Sequence, residues 1–228
     1  AIFGAAKALK RLGNRIVTTE VEHPAVLECC KSLEADGFEV VRIGVDEKCR
    51  LDIRRLEDAI NDKTILVSMM HVNNEVGTVM PVSEVRKIME RKKSPGYFHC
   101  DAVQSYGKLP LPDYADLISI SGHKIHGPKG SGALLISKGR SASGSRINIP
   151  AYIVGGGQES GRRSGTENVP AIIGLGRAAE MSAIHAGSGD SASGNVAEIG
   201  RLREMLRRGI EDNIEDIIIN SPVEIGSG

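Results

Sequence analysis

The chain has 228 residues, 40% of them apolar and 25% charged, enough for one sizeable core and a small appendage, which excludes a disulfide miniprotein and a disordered tail. Lys+Arg and Asp+Glu both number 29, so no global field exists to hold nucleic acid or an anionic membrane surface. Apolar runs such as Ile65 to Val67 and Ile217 to Ile219 fall far short of the roughly 18 residues of a membrane span, and a soluble protein with no membrane partner is expected.

In chain order, the Ala-rich stretch Phe3 to Leu12 reads as the end of a helix stopped by Gly13 and Asn14, and Arg15 to Thr18 as a strand. Pro24 fits the N-terminus of a helix over Ala25 to Asp36, with Gly37 as its C-cap and Glu39 to Ile43 as the next strand. Asp52 to Ile60 reads as a helix, Thr64 to Met70 as a buried strand, Val82 to Lys92 as a helix, and Gly96 to Cys100 and Asp116 to Ile120 as strands. This alternation argues for a mostly parallel sheet covered by helices on both faces, an α/β fold. Beyond Lys124, glycines at 127, 130 and 132 precede an antiparallel return strand, Ala133 to Ser137, followed by a loop over Gly139 to Gly144. Pro170 to Ile184 and Ile199 to Ile210 have helical periodicity, and the Gly/Ser/Ala/Asp run between them reads as a flexible loop.

The four cysteines, Cys29, Cys30, Cys49 and Cys100, show no C-x-x-C spacing and two are adjacent, which suits reduced thiols in the cytoplasm better than zinc or disulfides. No metal site is expected. The chain opens with neither a signal pattern nor a Met, consistent with a piece of something longer.

In open sheets of this kind, ligands gather beyond the carboxyl ends of the strands. There the sequence offers His23, then His71-Val72-Asn73-Asn74-Glu75-Val76-Gly77, then Asp101 with Gln104 three residues on, then Ser121-Gly122-His123-Lys124. A partly desolvated lysine at a strand end, such as Lys124, has a lowered pKa and can form an imine with a carbonyl. A carboxylate such as Asp101 can keep a pyridine nitrogen protonated, which makes the ring an electron sink as pyridoxal phosphate enzymes require. Ser121 and His123 could hold the phosphate, and His23 could lie against the ring. Each residue also has a plain reading: Lys124 as a solvated side chain, Asp101 or His23 as helix caps, His71 as a bonded structural histidine, and Asn73 to Gly77 as an Asx turn.

These stretches resemble the large domain of the cysteine desulfurases (the NifS and IscS group), fold-type-I pyridoxal phosphate enzymes of the class V aminotransferase family. The similarity lies in E-H-P-A-V-L at Glu22, M-H-V-N-N-E-V-G-T-V at Met70, H-C-D-A-V-Q-S-Y-G-K at His99, S-G-H-K-I-H-G-P-K-G at Ser121 and G-G-G-Q-E-S-G-R-R-S-G-T-E-N at Gly155, collinear across residues 1 to about 182. The resemblance implies a PLP-dependent transferase-like domain over residues 1–186 without its N-terminal phosphate loop, a flexible Gly/Ser loop over 187–195, and the incomplete start of a small-domain region over 196–228.

It further implies that Lys124 carries pyridoxal 5'-phosphate as a Schiff base, that Asp101 faces the pyridine nitrogen and Gln104 the phenolic oxygen, and that His23 stacks on the ring and assists proton transfer. Asn74 is expected at the cofactor oxygen or the substrate and Ser121 and His123 at the phosphate, while Thr166 reaches the phosphate of a neighbouring subunit, which implies a homodimer. The family reaction converts L-cysteine to L-alanine and leaves sulfur as an enzyme persulfide for an acceptor protein such as an iron–sulfur scaffold. The nucleophilic cysteine matches none of the four present, so this chain by itself is expected to be inactive. A selenocysteine lyase and a non-catalytic dimerising scaffold are the alternatives.

Overall fold

The computed structural model describes residues 1–139, 147–186 and 193–222, with side chains left undescribed at 183–186 and 193–196. Helix α1 (Ile2–Leu9) leads into β1 (Arg15–Thr19), α2 (Pro24–Ala35), β2 (Glu39–Ile43), α3 (Ile53–Ala59), β3 (Thr64–Met70) and α4 (Val82–Arg91). Strands β4 (Tyr97–Asp101), β5 (Leu117–Ser121) and β6 (Gly132–Ile136) and helices α5 (Val169–Ala186) and α6 (Ser193–Asn213) follow.

Local sequence explains the element ends. Pro24 occupies the first turn of α2, His23 caps it by accepting from the Ala25 N–H at 3.2 Å, and Gly37 leaves it at φ +85°, where a side chain would be strained. Asp52 caps α3 by accepting from the Arg54 N–H at 2.9 Å. Every residue of β3 is buried, as a central strand with helices on both faces requires.

The strands form one six-stranded sheet in the order β2-β1-β3-β4-β5-β6, parallel except for β6. Alternate residues feed two cores. Ile16, Leu66, Tyr97 and Leu117 pack with Ala5, Leu9, Val26 and Leu33 of α1 and α2. On the other face Val17, Val67, Phe98 and Ile118 pack with Leu56, Val85, Ile88 and Met89 of α3 and α4. The chain steps from β1 outward to β2, then back across β1 to β3, so the winding reverses between β1 and β3 and opens a crevice at their carboxyl ends.

Most expected elements appear within a residue or two of the limits read from sequence. Two differences matter: β4 extends through Asp101 and β5 through Ser121, because Asp101 pairs with Met70 on one side and Ser119 on the other and Ser121 pairs with Gly132. Both polar residues therefore sit on the sheet ladder, not in the loops beyond it. The expected loop at 139–144 lies outside the described residues after Gly139, and the expected Gly/Ser loop does so over 187–192, while its last three residues begin α6. Among the described residues, no helix is long and apolar enough to cross a membrane.

Candidate active site

The carboxyl ends of β1, β3, β4 and β5 bring most of the expected residues to one rim. Asp101, half-buried as the last residue of β4, accepts from the Val103 N–H at 2.9 Å through Oδ1, and its backbone oxygen accepts from the His71 N–H at 2.9 Å. Burial raises the Asp101 carboxyl above its ordinary value, opposed by the Val103 N–H and by the nearby His23. His23 is exposed at the start of α2, its Nδ1 accepting from the Ala25 N–H. The capping role and proximity to Asp101 thus coexist in one residue.

The Asn73 to Gly77 turn is built by Asn73. Its Oδ1 accepts from the Glu75 and Val76 N–H groups, both at 2.9 Å, and its Nδ2 donates to Val21 O at 3.1 Å. That last bond ties the turn to the segment leading into His23, across the β1–β3 crevice. Asn74 is left exposed, with no hydrogen bond among the described residues.

His71, directly after β3, is buried and bonds through Nδ1 to Ser105 Oγ at 3.0 Å, fixing the turn beyond β4 that carries the half-buried Gln104. Burial lowers the His71 imidazole, which suits a neutral structural role. Lys108 Nζ donates to Gln104 O at 3.0 Å, and its pKa is lowered by burial and by the charge of Lys124. Lys124 therefore lies near the Gln104 turn, exposed and with no hydrogen bond or ion pair among the described residues. It occupies a 3₁₀ turn, Gly122–Ile125, directly after β5. A Cβ on Gly122 would stand 2.6 Å from Ser131 Oγ and 3.2 Å from Leu175 Cδ1, so a side chain there would force Ser131 and Leu175 of α5 to shift. Ser121 Oγ and His123 Nδ1 are 2.9 Å apart, pairing the two expected phosphate ligands.

Thr166 is exposed on the segment before α5 and makes no hydrogen bond to any of these residues. Two residues were not singled out individually from sequence. Glu22 is buried beside His23, and Asn73, which builds the expected Asx turn, also donates to Val21 O. Among the described residues no three His, Cys, Asp or Glu side chains cluster to hold a metal ion.

The donor set suits a phosphorylated pyridine aldehyde: an amine without a partner, a carboxylate with one oxygen unbonded, and a hydroxyl–imidazole pair at a strand end. The resemblances to known proteins agree. Residues 1–217 match the family Aminotransferase class-V. A cysteine desulfurase of Nostoc sp. (strain PCC 7120) is 42% identical over 211 residues, covering 91% of this chain and 49% of that protein. A solved NifS-like protein superposes with a TM-score of 0.85 at 37% identity, over 98% of this chain and 58% of the other. The structure titled SspA in complex with cysteine gives 0.71 at 34% identity, over 91% of this chain and 56% of the other. The chain spans about half the length of the curated relatives it matches.

Proposed function

The chain belongs to the class-V aminotransferase family, and from that premise we propose that it is the cofactor-binding part of a pyridoxal phosphate-dependent cysteine desulfurase, converting L-cysteine to L-alanine with the sulfur passed on as a persulfide. The carrying observation is the meeting of His23, Asp101, Gln104 and an unpaired Lys124 at the carboxyl ends of neighbouring strands. The similarity to a cysteine desulfurase and to a structure holding cysteine supports the choice of substrate.

Bound at this rim, pyridoxal phosphate supplies an electron sink for bonds to the substrate α-carbon. Lys124 Nζ, with no hydrogen bond or ion pair among the described residues, would be the amine for its aldehyde. Asp101 holds a proton on the ring nitrogen, Gln104 supplies an amide to the phenolic oxygen, and Asn74 supplies one to the cofactor or the substrate. Ser121 and His123 take the phosphate. His23, close enough to Asp101 to lower the carboxyl's pKa, would cover the ring and move protons at the substrate carbon.

The remaining parts of the proposal concern surroundings. Unpaired Cys29, Cys30, Cys49 and Cys100 support a reducing compartment, the cytoplasm. Exposed Tyr152, Ile153, Val154, Ile172 and Ile173, on either side of Thr166 in sequence, support a homodimer in which Thr166 reaches the partner's phosphate. A sulfur acceptor such as an iron–sulfur scaffold follows from the persulfide product.

The test is borohydride reduction of the purified chain with pyridoxal phosphate, followed by peptide mapping. The pyridoxyl mass is expected on Lys124 and absent from Lys124→Ala. Labelling spread over Lys7, Lys31 and other exposed lysines, with none at Lys124, would overturn the site.

A further inference from the structure

One buried acid beneath the rim has no part in the reading above. Glu22, 4% exposed, immediately precedes His23. Its Oε1 accepts from Thr19 Oγ1 at 2.7 Å and from the Met70 N–H at 2.9 Å. Met70 ends β3 and stands opposite Asp101 in the β3–β4 ladder. A single oxygen therefore fastens the turn that bears His23 to the strand end beside Asp101.

The second oxygen, Oε2, is buried with no hydrogen-bond partner, and no cation pairs with Glu22 among the described residues. A carboxylate there would bury half its charge against nothing. The titratable groups that face it are Asp101 and Cys100 from β4, Cys30 from α2 and Cys49 from the segment between β2 and α3. Burial pushes all three thiols upward, Cys30 to about 11, so they are uncharged near neutrality. Asp101 would be a like charge. Nothing in this set compensates a second anion.

We propose that Glu22 is a positioning residue that carries a proton on Oε2 and, as a neutral acid, pins the His23 turn to the end of β3 while leaving the buried negative charge to Asp101. The hydrogen bonds favour this arrangement: Oε1 as the carbonyl oxygen keeps both bonds it accepts, and the proton sits on the atom that has none. Burial supports it too, pushing the Glu22 carboxyl up to about 8. Paired carboxyls whose surroundings separate their protonation divide the roles of neutral and charged group between them. The significance of His23 and Asp101 rests on the proposed function. The protonation of Glu22 and its hold on Met70 do not, and neither measurement below involves the cofactor.

The experiment compares the 228-residue chain with Glu22→Gln and Glu22→Leu. Infrared difference spectra, wild type minus Glu22→Gln, are expected to show a protonated-carboxyl carbonyl band at about pH 6 that disappears with a midpoint near 8. Amide hydrogen exchange at Met70 reads the clamp. Glu22→Gln, uncharged with its oxygen in place, keeps the protection, whereas Glu22→Leu speeds exchange about tenfold, the equivalent of one net hydrogen bond. A carboxylate band alone at about pH 6 would overturn the neutral acid. Loss of protection at Met70 in Glu22→Gln equal to that in Glu22→Leu would overturn the clamp. Should Glu22→Leu not fold, Glu22→Ala, which also removes the oxygen that accepts from Met70, takes its place in the comparison.

Discussion

Replacing Arg86 with Met tests how the sheet beneath the site is held. Arg86 of α4 reaches Asp116, just before β5, at 2.6 Å between Nη2 and Oδ1, with side chains only 13% and 2% exposed. The same guanidinium donates to Tyr114 O through Nε at 3.1 Å and Nη2 at 2.9 Å. Asp116 in turn accepts from the Phe98 N–H at 2.7 Å through Oδ2, and its backbone bonds Phe98 O and the Ser137 N–H, so one residue joins β4, β5 and the end of β6. Arg86→Met keeps the aliphatic stem and removes the charge. The carboxylate then faces one N–H in a dry setting, and breaking a buried pair in this way costs about 3–5 kcal/mol, against about 0–1 for a surface pair. That is a large part of the roughly 5–15 kcal/mol stabilising a typical domain. Burial already raises Asp116, with Arg86 as the largest lowering influence, so loss of Arg86 drives its folded-state pKa further above the unfolded value. The variant's penalty is therefore greatest at neutral pH and shrinks as pH falls toward the unfolded carboxylate pKa of about 4, where Asp116 is protonated in both states. Urea unfolding followed by circular dichroism at about pH 7.5 and about pH 4.5 reads this for Arg86→Met, Asp116→Asn and the double variant. The double variant is expected to recover about 2–3 kcal/mol relative to the sum of the singles. A neutral-pH loss below about 1 kcal/mol, or additive single effects, would refute the buried-pair account.

Three further outcomes follow from the same physical argument. His99, pushed by burial down to about 3, is bonded to Ser68 through Nδ1 at 2.9 Å and to Ser119 through Nε2 at 2.8 Å. His99→Leu orphans both hydroxyls and should cost about 2–4 kcal/mol in urea unfolding, while imidazole NMR shifts in the wild type should stay those of the neutral ring down to about pH 5. Glu22 has a folded-state pKa of about 8 against an ordinary 4.5, so the stability it contributes is complete below the unfolded value and is lost as pH rises toward 8. Wild-type stability should therefore fall more steeply than that of Glu22→Gln over this interval, by up to about 1.4 kcal/mol per pH unit; parallel curves would contradict the raised pKa. Gly122→Ala places a Cβ 2.6 Å from Ser131 Oγ and should displace the Lys124 turn, costing about 1–3 kcal/mol in stability and most of the borohydride labelling at Lys124. Undiminished labelling would show that the turn yields elsewhere.

The parallel sheet was legible because its strands are apolar runs between capped helices: Thr64 to Met70 is buried at every position, and Pro24 and Gly37 frame α2 as their backbone preferences demand. The carboxyl-end rule then gathered His23, Asp101, Gln104 and Lys124 without any contact information. Hydrophobic patterning could not show that Asp101 and Ser121 lie on the ladder, because a polar strand end is held there by its neighbours' N–H and C=O groups and not by its own apolarity. Local pattern reads the Asx turn that Asn73 builds, but not the long-range bonds of Asn73 and Glu22. Their partners, Val21 and Met70, lie 52 and 48 residues away, so their roles exist only once β1 and β3 are adjacent. Asn74 attracted notice because it sits in the same motif, yet it is Asn73 that builds the turn.

The groups packed beneath the rim have a common electrostatic character. His99, two residues before Asp101 and therefore on the same sheet face, is held neutral by burial. Cys100 and Cys30 remain thiols, and Glu22 as a neutral acid adds hydrogen bonds but no charge. Asp101 thus rests on a polar but uncharged layer that neither supplies a counter-cation from below nor adds a rival anion, and the charge that does act on it, His23, stands on the solvent side. A carboxyl raised by burial and relieved only from the open side responds strongly to a cation arriving there, because each pKa unit by which it falls is worth about 1.4 kcal/mol of binding. A protonated pyridine nitrogen is such a cation. Were Glu22 ionised instead, its charge would raise Asp101 further and favour proton transfer from the ring nitrogen to the carboxylate, weakening the electron sink. On the proposed function, neutrality below is therefore the condition under which Asp101 would keep the ring protonated.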